Sequence, residues 1–187
     1  MNTYFCSDLH FSHSKICSFT ERKLFTNPEE HTEWLINIWN SQVTKADKVI
    51  HLGDFSFSHK YEEVASVLRR LNGQKFFIKG NHDRSEILDS LKLSGLIQNW
   101  YHYKEVKIGD TPTCLFHFPI AAWHRQHYGS IHLHGHCHSS FQGNGKILDV
   151  GIDNAYKLYG EHRLFSEQDV LTFMKDRPLY ITEEHRK

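Results

Sequence analysis

The side chains in this sequence that are most able to do chemistry are aspartates, an asparagine and histidines grouped in five clusters. The clusters are Asp8-Leu9-His10, Gly53-Asp54, Gly80-Asn81-His82-Asp83, His117 and Gly135-His136-Cys137-His138. Together they offer enough carboxylate, amide and imidazole donors for two divalent metal ions. Two metal ions about 3.5–4 Å apart favour the attack of water on phosphorus. The clusters therefore predict hydrolysis of a phosphate ester at a two-metal centre.

Spacing inside the clusters supports this prediction. Asp8 and His10 are two positions apart, and in an extended segment such residues point to the same side, so both can reach one ion. His136 and His138 have the same spacing. Cys137, between them, is expected to point away from the metal.

Each cluster taken alone has a simpler explanation. An isolated D-x-H or H-x-H pair is more often structural, and His117 beside Pro119 fits a partly buried histidine. The order of five clusters, each after a predicted strand, makes that explanation insufficient. Gly80 and Gly135 are expected to allow the backbone to approach closely at the two junctions they occupy.

The first half of the chain alternates strands and helices. Strands are predicted at residues 3–7, 47–52 and 74–79, and helices between them from residue 28 and over 61–71. Asn27 is suited to cap the first helix and Pro28 to its first position. Alternation of this kind favours a parallel sheet covered by helices.

The second half is richer in strands. Residues 101–108 and 113–116 predict a hairpin that turns at Gly109-Asp110, and further strands are expected at 131–134 and 146–150. A last helix is predicted over Glu167–Lys175, with Ser166 as its cap. We therefore expect an α/β fold in which two packed sheets form one domain over residues 1–187.

Composition narrows the classes of partner. Lys plus Arg and Asp plus Glu both number 22, so the formal net charge is zero. Electrostatics therefore gives no reason to expect binding to an extended nucleic acid or to a membrane surface. No stretch approaches the roughly 20 apolar residues of a membrane span, and no secretory signal is expected. The four cysteines lack disulfide-like spacing, which predicts a cytoplasmic protein. Four of the 16 histidines are predicted to be solvated surface residues: His31, His59, His162 and His185.

The ordered clusters resemble the pattern D-x-H, G-D, G-N-H-[DE], H, G-H-x-H of the calcineurin-like metallophosphoesterase superfamily. All five blocks are present between residues 8 and 138. Segments 7–13, 132–136 and 148–153 also resemble a small subgroup found in bacteria and their phages. The resemblance implies an α/β/β/α sandwich, with two packed mixed sheets flanked by helices and the metals at the sheet ends.

The resemblance also implies which residues hold each metal. One ion would be held by Asp8, His10, Asp54 and His138. The other would be held by Asp54, which bridges the two ions, together with Asn81, His117 and His136. Carboxylate, amide and imidazole donors without thiolate suit Mn²⁺, Fe or Zn²⁺ better than a soft ion. Of these, Mn²⁺ is the expected ion, with Fe or Zn²⁺ as alternatives.

In the family, a hydroxide shared by the two metals attacks phosphorus, and a histidine protonates the leaving group. His82 occupies that acid position, with a structural role as the alternative. Asp83 is expected to assist catalysis, although which residue orients His82 is left open. The Ser/Thr protein phosphatase branch carries G-D-x-x-D-R-G, where this chain has Phe57 and Ser58 in place of the second Asp and the Arg. That departure argues against a protein phosphatase.

Substrate contacts are predicted for His13, Arg84 and Asn81, and support of a metal ligand is predicted for His134. The preferred substrate class is small nucleotide phosphodiesters, including cyclic ones. A small-molecule phosphomonoesterase and a nuclease are alternative enzymes, and a metal-stabilised interaction scaffold is the non-catalytic alternative. The oligomeric state is not predicted.

Overall fold

A computed structural model describes residues 1–22, 25 and 27–181 of the chain. Within them the chain forms nine strands and five α-helices. The strands are β1 Thr3–Cys6, β2 Lys48–His51, β3 Gln74–Ile78, β4 Asn99–Tyr101, β5 Tyr103–Ile108, β6 Thr111–Phe116, β7 Ile131–His134, β8 Ile147–Asp149 and β9 Phe165–Ser166. The helices are α1 Pro28–Gln42, α2 Tyr61–Arg70, α3 Ser85–Leu93, α4 Ile152–Tyr159 and α5 Glu167–Lys175, with 3₁₀ turns at Ser14–Ser18 and Gln126–Tyr128.

The strands form two mixed sheets. In the first, the order is β4-β3-β2-β1-β9, and only β9 runs antiparallel to its neighbour. In the second, the order is β5-β6-β7-β8, with an antiparallel hairpin of β5 and β6 followed by parallel pairs. The predicted α/β fold with two mixed sheets flanked by helices is confirmed.

The strands of the first sheet have apolar side chains on both faces. Val49 packs in the core beneath α1, α2 and α3, whereas its neighbour Ile50 packs between the two sheets. Leu115 and Leu133 meet Ile50 there from the second sheet. Successive side chains of a strand point to opposite faces, so one continuous apolar run supplies both cores.

Two predicted helix starts are confirmed in atomic detail. The side-chain oxygen of Asn27 accepts a hydrogen bond of 2.8 Å from the backbone N–H of Glu30, and Pro28 is the first residue of α1. Ser166 forms a capping box with Asp169 at the start of α5. These side chains satisfy N–H groups that the first turn of a helix leaves without a partner.

Four elements were not predicted from the sequence: α3, α4, β4 and β9. Neither helix has a capping signal at its start, because Arg84 and Gly151 precede them and form no side-chain capping hydrogen bond. The two strands contain only three and two residues, too few to show a period. The segment between β7 and β8 is also a crossover, since these strands pair in parallel.

The prediction of solvated histidines is wrong for His31, which is fully buried. It lies one turn before Leu35 on the inner face of α1, and its ring is 5.8 Å from that of Trp34. His162 is half-buried between Trp34 and Tyr156, whereas His59 is exposed as expected. His185 lies outside the described residues.

Among the described helices, none has both the length and the apolar character needed to cross a bilayer.

Candidate metal centre

The predicted donor residues lie in loops at the carboxyl ends of strands. Asp8, Asp54 and Asn81 follow β1, β2 and β3, which are parallel neighbours in the first sheet. His117 and His136 follow β6 and β7, parallel neighbours in the second sheet. Parallel strands end at the same edge, so each sheet brings its loops together there. The packing of the two sheets then joins both groups of loops.

One group of donors combines Asp8, His10 and His138, whose ligand atoms all lie within 4.8 Å of one another. The Nε2 atoms of His10 and His138 are each 3.9 Å from Oδ1 of Asp8. Oδ2 of Asp54 is 3.8 Å from Nε2 of His10. The four residues predicted to hold the first metal therefore converge on one position.

A second group combines Asp54, His117 and His136, again within 4.8 Å. Nε2 of His117 is 3.4 Å from Oδ2 of Asp54. Oδ1 of Asn81 lies 3.0 Å from Nε2 of His117 and 3.0 Å from Nδ1 of His136. The same Asp54 oxygen thus faces both groups, which is the position that a bridging carboxylate requires.

Buried polar atoms in the first group lack partners. Among the described residues, Oδ1 of Asp8 and both ring nitrogens of His10 have no hydrogen bond, although neither side chain is more than 3% exposed. Leaving such atoms unsatisfied is costly, and a cation between Asp8 and His10 would remove much of that cost. The two candidate sites fit divalent metals, and their oxygen and nitrogen donors do not distinguish Mn²⁺ from Fe or Zn²⁺. Cys137 belongs to neither group.

The backbone of the donor loops is strained. The φ angles of Asp8 (57°), His10 (52°), Asp54 (59°), His136 (70°) and His138 (43°) lie in the left-handed region, which is uncommon for residues other than glycine. The extended geometry predicted for the D-x-H and H-x-H pairs is therefore wrong. Strained backbone persists only where surrounding contacts impose it.

Hydrogen bonds between loops impose this conformation. The N–H of Asp8 donates to the carbonyl of Gly53 at 3.0 Å, and that of His10 donates to the carbonyl of Asp54 at 3.1 Å. The Asp8 and Asp54 loops therefore turn together, and this pairing sets where their carboxylates point.

Two glycines lie directly beneath the donor carboxylates. A Cβ atom at Gly80 would collide with the carboxylate and backbone nitrogen of Asp54. A Cβ atom at Gly135 would collide with the side chains of Ser7 and Asp8. The close backbone approach expected at both glycines is confirmed, and any larger residue would displace a donor.

Burial and neighbouring charges shift the pKa values of the donor residues in different directions. Burial raises the pKa of Asp8 to about 7 and lowers that of His10 to about 2. Burial also opposes charge on His117, but the hydrogen bond to Asp54 and the charges of Asp8 and Asp54 outweigh it and raise the pKa of His117 to about 9. Metal ligation needs the neutral imidazole, so binding of a cation at His117 would release a proton.

A buried ion pair behind His138 was missed by the sequence analysis. Nδ1–H of His138 donates to Asp153 at 2.7 Å, which turns Nε2 toward Asp8. The guanidinium of Arg22 binds both oxygens of Asp153 at 2.7 and 2.8 Å and also donates to the backbone carbonyls of Asp8 and Leu9. Asp153 belongs to one of the segments that resembled the subgroup, but nothing in the sequence marks Arg22.

Asp83 lies beneath the Asp54 turn. Its carboxylate accepts backbone N–H groups of Asp54 and Gly80 at 2.9 Å and of Phe55 at 3.1 Å. Burial raises the pKa of Asp83. These contacts fix the backbone that carries Asp54, while the catalytic role of Asp83 stays a prediction.

His134 and His117 use backbone carbonyls in a similar way. Nδ1–H of the buried His134 donates to the carbonyl of Gly135 at 2.8 Å, so its contact is with the loop before His136. Nδ1–H of His117 donates to the carbonyl of Leu52 at 2.7 Å, which presents Nε2 to the donors. Such bonds select the tautomer and orientation of an imidazole.

His82 stands beside the donors without belonging to either group. Its backbone N–H donates to Oδ1 of Asp54 at 2.9 Å, and its ring Nε2 is 4.0 Å from Oδ2 of Asp54. The side chain is 40% exposed, so it faces the open side of the site.

Of the predicted substrate contacts, Asn81 lies among the donors, the His13 ring lies 6.0 Å from the His10 ring, and Arg84 is exposed at the start of α3.

Comparisons with known proteins agree with this geometry. The family model for calcineurin-like phosphoesterases matches residues 1–187. The Gene 66 protein of Mycobacterium phage D29 is 32% identical over 179 residues, covering 81% of this chain and 88% of its own. An uncharacterized protein of Methanocaldococcus jannaschii is 33% identical over 138 residues, covering 73% of this chain and 69% of its own.

Solved structures share the fold. A protein of unknown function from Aquifex aeolicus matches with a TM-score of 0.68 and 21% identity, covering 92% of this chain and 98% of that one. An archaeal phosphodiesterase matches with a TM-score of 0.50 and 20% identity, covering 86% and 88%. With the family model matched along the whole sequence, the chain belongs to the calcineurin-like phosphoesterases, hydrolases that act on phosphate esters.

Proposed function

We propose that this protein hydrolyses small phosphodiesters with two divalent metal ions, Mn²⁺ being the preferred ion, and that nucleotides, including cyclic ones, are its substrate class. The observation that carries the proposal is the position of Asp54. Its Oδ2 faces both donor groups, 3.8 Å from His10 and 3.4 Å from His117, while its Oδ1 accepts the backbone N–H of His82. One carboxylate therefore connects both metal positions to the proposed acid.

The charges around the site favour a diester over a monoester. A monoester dianion carries one more negative charge than a diester, and guanidinium groups are the usual partners of such phosphates. The guanidinium of Arg22 is engaged by Asp153 and two carbonyls, and that of Arg84 is exposed, so it would meet a substrate only from the solvent side of the rim. The open side of the site instead presents the imidazoles of His13 and His82, which suit a singly charged phosphate.

When bound, two divalent ions supply a water of lowered pKa and neutralise charge on the phosphoryl oxygens. The residues of the chain then have distinct tasks. Asp54 and Asn81 position the donor groups, and Asp83 holds the turn from which Asp54 projects. To His82 we assign the donation of a proton from Nε2 to the departing oxygen. His13 and Arg84 are proposed to contact the substrate at the rim.

Hydrolysis of bis-p-nitrophenyl phosphate tests the proposal. We expect turnover with Mn²⁺ and its loss on chelation. Asp54→Asn should abolish turnover, since it weakens both metal positions. His82→Ala should lower turnover roughly 10²–10⁴-fold for esters with poor leaving groups, less for p-nitrophenol, and leave metal content near normal. His102→Ala, which removes an exposed imidazole outside the site, is the matched control.

Two outcomes would contradict the proposal. If the pure, metal-loaded protein hydrolysed neither mono- nor diesters between pH 6 and 9, the catalytic assignment would be wrong and the non-catalytic scaffold would be favoured. A His82→Ala variant equally slow on good and poor leaving groups would remove the acid role. A screen of mono-, di- and cyclic nucleotides with each metal would then identify the substrate class.

A further inference from the structure

An exposed aromatic side chain stands at the rim of the metal centre. Phe57 is 41% exposed, and its ring lies parallel to that of His13, with centroids 4.1 Å apart and an interplanar angle of 23°. We call these two rings the aromatic platform. What sets Phe57 apart from other exposed apolar side chains is its position, because its ring lies against His13 and near His82 at the edge of the donor site.

The platform is held by the same loops that carry the metal donors. The backbone N–H of Phe57 donates to the carbonyl of Phe11 at 2.9 Å, and that of His13 donates to the carbonyl of His10 at 3.1 Å. Phe11 in turn donates to the carbonyl of Phe55 at 2.9 Å. Both rings are therefore attached to a hydrogen-bonded pair of loops. A surface ordered in advance binds its ligand at a smaller entropic cost.

The platform lies on the side of the proposed acid. The ring of His82 is 5.2 Å from that of Phe57, tilted by 44°, and 5.5 Å from that of His10. If His82 protonates the departing oxygen, the group attached to that oxygen must leave along this side. That group then passes the platform, because the ring of Phe57 is a direct neighbour of the ring of His82.

We infer that the stacked pair of Phe57 and His13 forms a subsite whose outer ring face receives a flat aromatic ring, a nucleobase, belonging to the group that departs beside His82. This inference rests on the proposed function, because it takes the departing side from the acid. An aliphatic group would gain only ordinary contact with the platform. A planar base gains stacking as well, and every base has a suitable face.

Binding of AMP and of ribose 5-phosphate to the Mn²⁺-loaded protein tests the inference by calorimetry. The two ligands share the phosphate and the sugar, so the ratio of their affinities isolates the base. We expect AMP to bind about tenfold more tightly, near the lower end of what base stacking supplies. Phe57→Ala should reduce the ratio to about one. Phe57→Trp should preserve it, and Phe57→Leu, which keeps the bulk without the π face, should lose most of it.

Tyr128→Ala is the matched control, because Tyr128 is a 75% exposed aromatic residue on another loop, and its removal should leave the ratio unchanged. The inference is overturned if wild type shows no preference for AMP, or if Phe57→Ala keeps the preference at an unchanged melting temperature. The readout needs no turnover, so absence of hydrolysis would contradict only the proposed function. Hydrolysis without a base preference would contradict only the platform.

Discussion

Removing Arg22 should cost far more stability than removing Arg70, although both arginines make the same kind of ion pair. Arg22 binds both oxygens of Asp153 at 2.7 and 2.8 Å, and Arg70 binds both oxygens of Glu33 at 2.6 Å. The pairs differ in burial. The side chains of Arg22 and Asp153 are 0% and 3% exposed, whereas those of Arg70 and Glu33 are 47% and 54% exposed.

Burial determines the expected magnitude. Arg22→Ala leaves the carboxylate of Asp153 buried without its cation and removes donors from the carbonyls of Asp8 and Leu9. Breaking a buried pair in this way costs about 3–5 kcal/mol. Burial alone would raise the pKa of Asp153, but His138 and Arg22 outweigh it and hold that pKa well below its usual range. Arg70→Ala removes a solvated pair and should cost less than about 1 kcal/mol.

Urea unfolding followed by tryptophan fluorescence, at pH 7 with a chelator to remove metal binding, measures both changes. A loss of about 4 kcal/mol lowers the midpoint by about 2 M for a slope near 2 kcal/mol/M. Arg22→Ala combined with Asp153→Asn should recover part of the loss, because the unpaired charge is gone. A difference below about 1 kcal/mol between Arg22→Ala and Arg70→Ala would refute the reasoning. A double variant no more stable than Arg22→Ala would assign the cost to something other than charge.

Two further predictions concern a close backbone approach and a buried imidazole. Gly80→Ala should displace Asp54 and weaken Mn²⁺ binding by about 10–100-fold, as measured by calorimetry. Gly95→Ala is the control, because a Cβ atom there meets nothing within 4 Å, and it should leave Mn²⁺ binding unchanged. Burial, reinforced by Arg22, lowers the pKa of His31 to about 4, below the unfolded value near 6.5. The unfolded chain therefore takes up this proton first as the pH falls, and stability is lost between about pH 6.5 and 4. His31→Leu should reduce the loss of unfolding free energy between pH 7 and 5 by about 2 kcal/mol, and an unchanged pH dependence in urea titrations would contradict this.

Much of the fold could be predicted because its signals are local. The cap of Asn27 and the capping box of Ser166 involve residues three positions apart, and both helices begin where predicted. The hairpin of β5 and β6 turns within two residues. In contrast, α3 and α4 lack a side-chain cap, and β4 and β9 exist because neighbouring strands pair with them. Their formation depends on tertiary contacts that no short stretch of sequence encodes.

Errors in the prediction have the same origin. The polar neighbours of His31 in sequence predict a surface position, but α1 turns it toward Trp34 and the core. The pairs around Asp8 and His136 were expected to be extended, but hydrogen bonds between loops and close packing on Gly135 hold them in the left-handed region. Backbone conformation at such sites follows from contacts across the fold rather than from local preference.

Residue types along the chain already show which atoms are available for chemistry: oxygen and nitrogen donors at strand ends, without thiolate, and a histidine beside them. Ligand chemistry is a property of residue type, so it can be read without coordinates. Two other features depend on the folded chain: one oxygen of Asp54 faces both donor groups, and Arg22 binds Asp153, which is 131 positions away in sequence. Parallel strands bring distant loops to one edge, and burial there decides which atoms lack a partner.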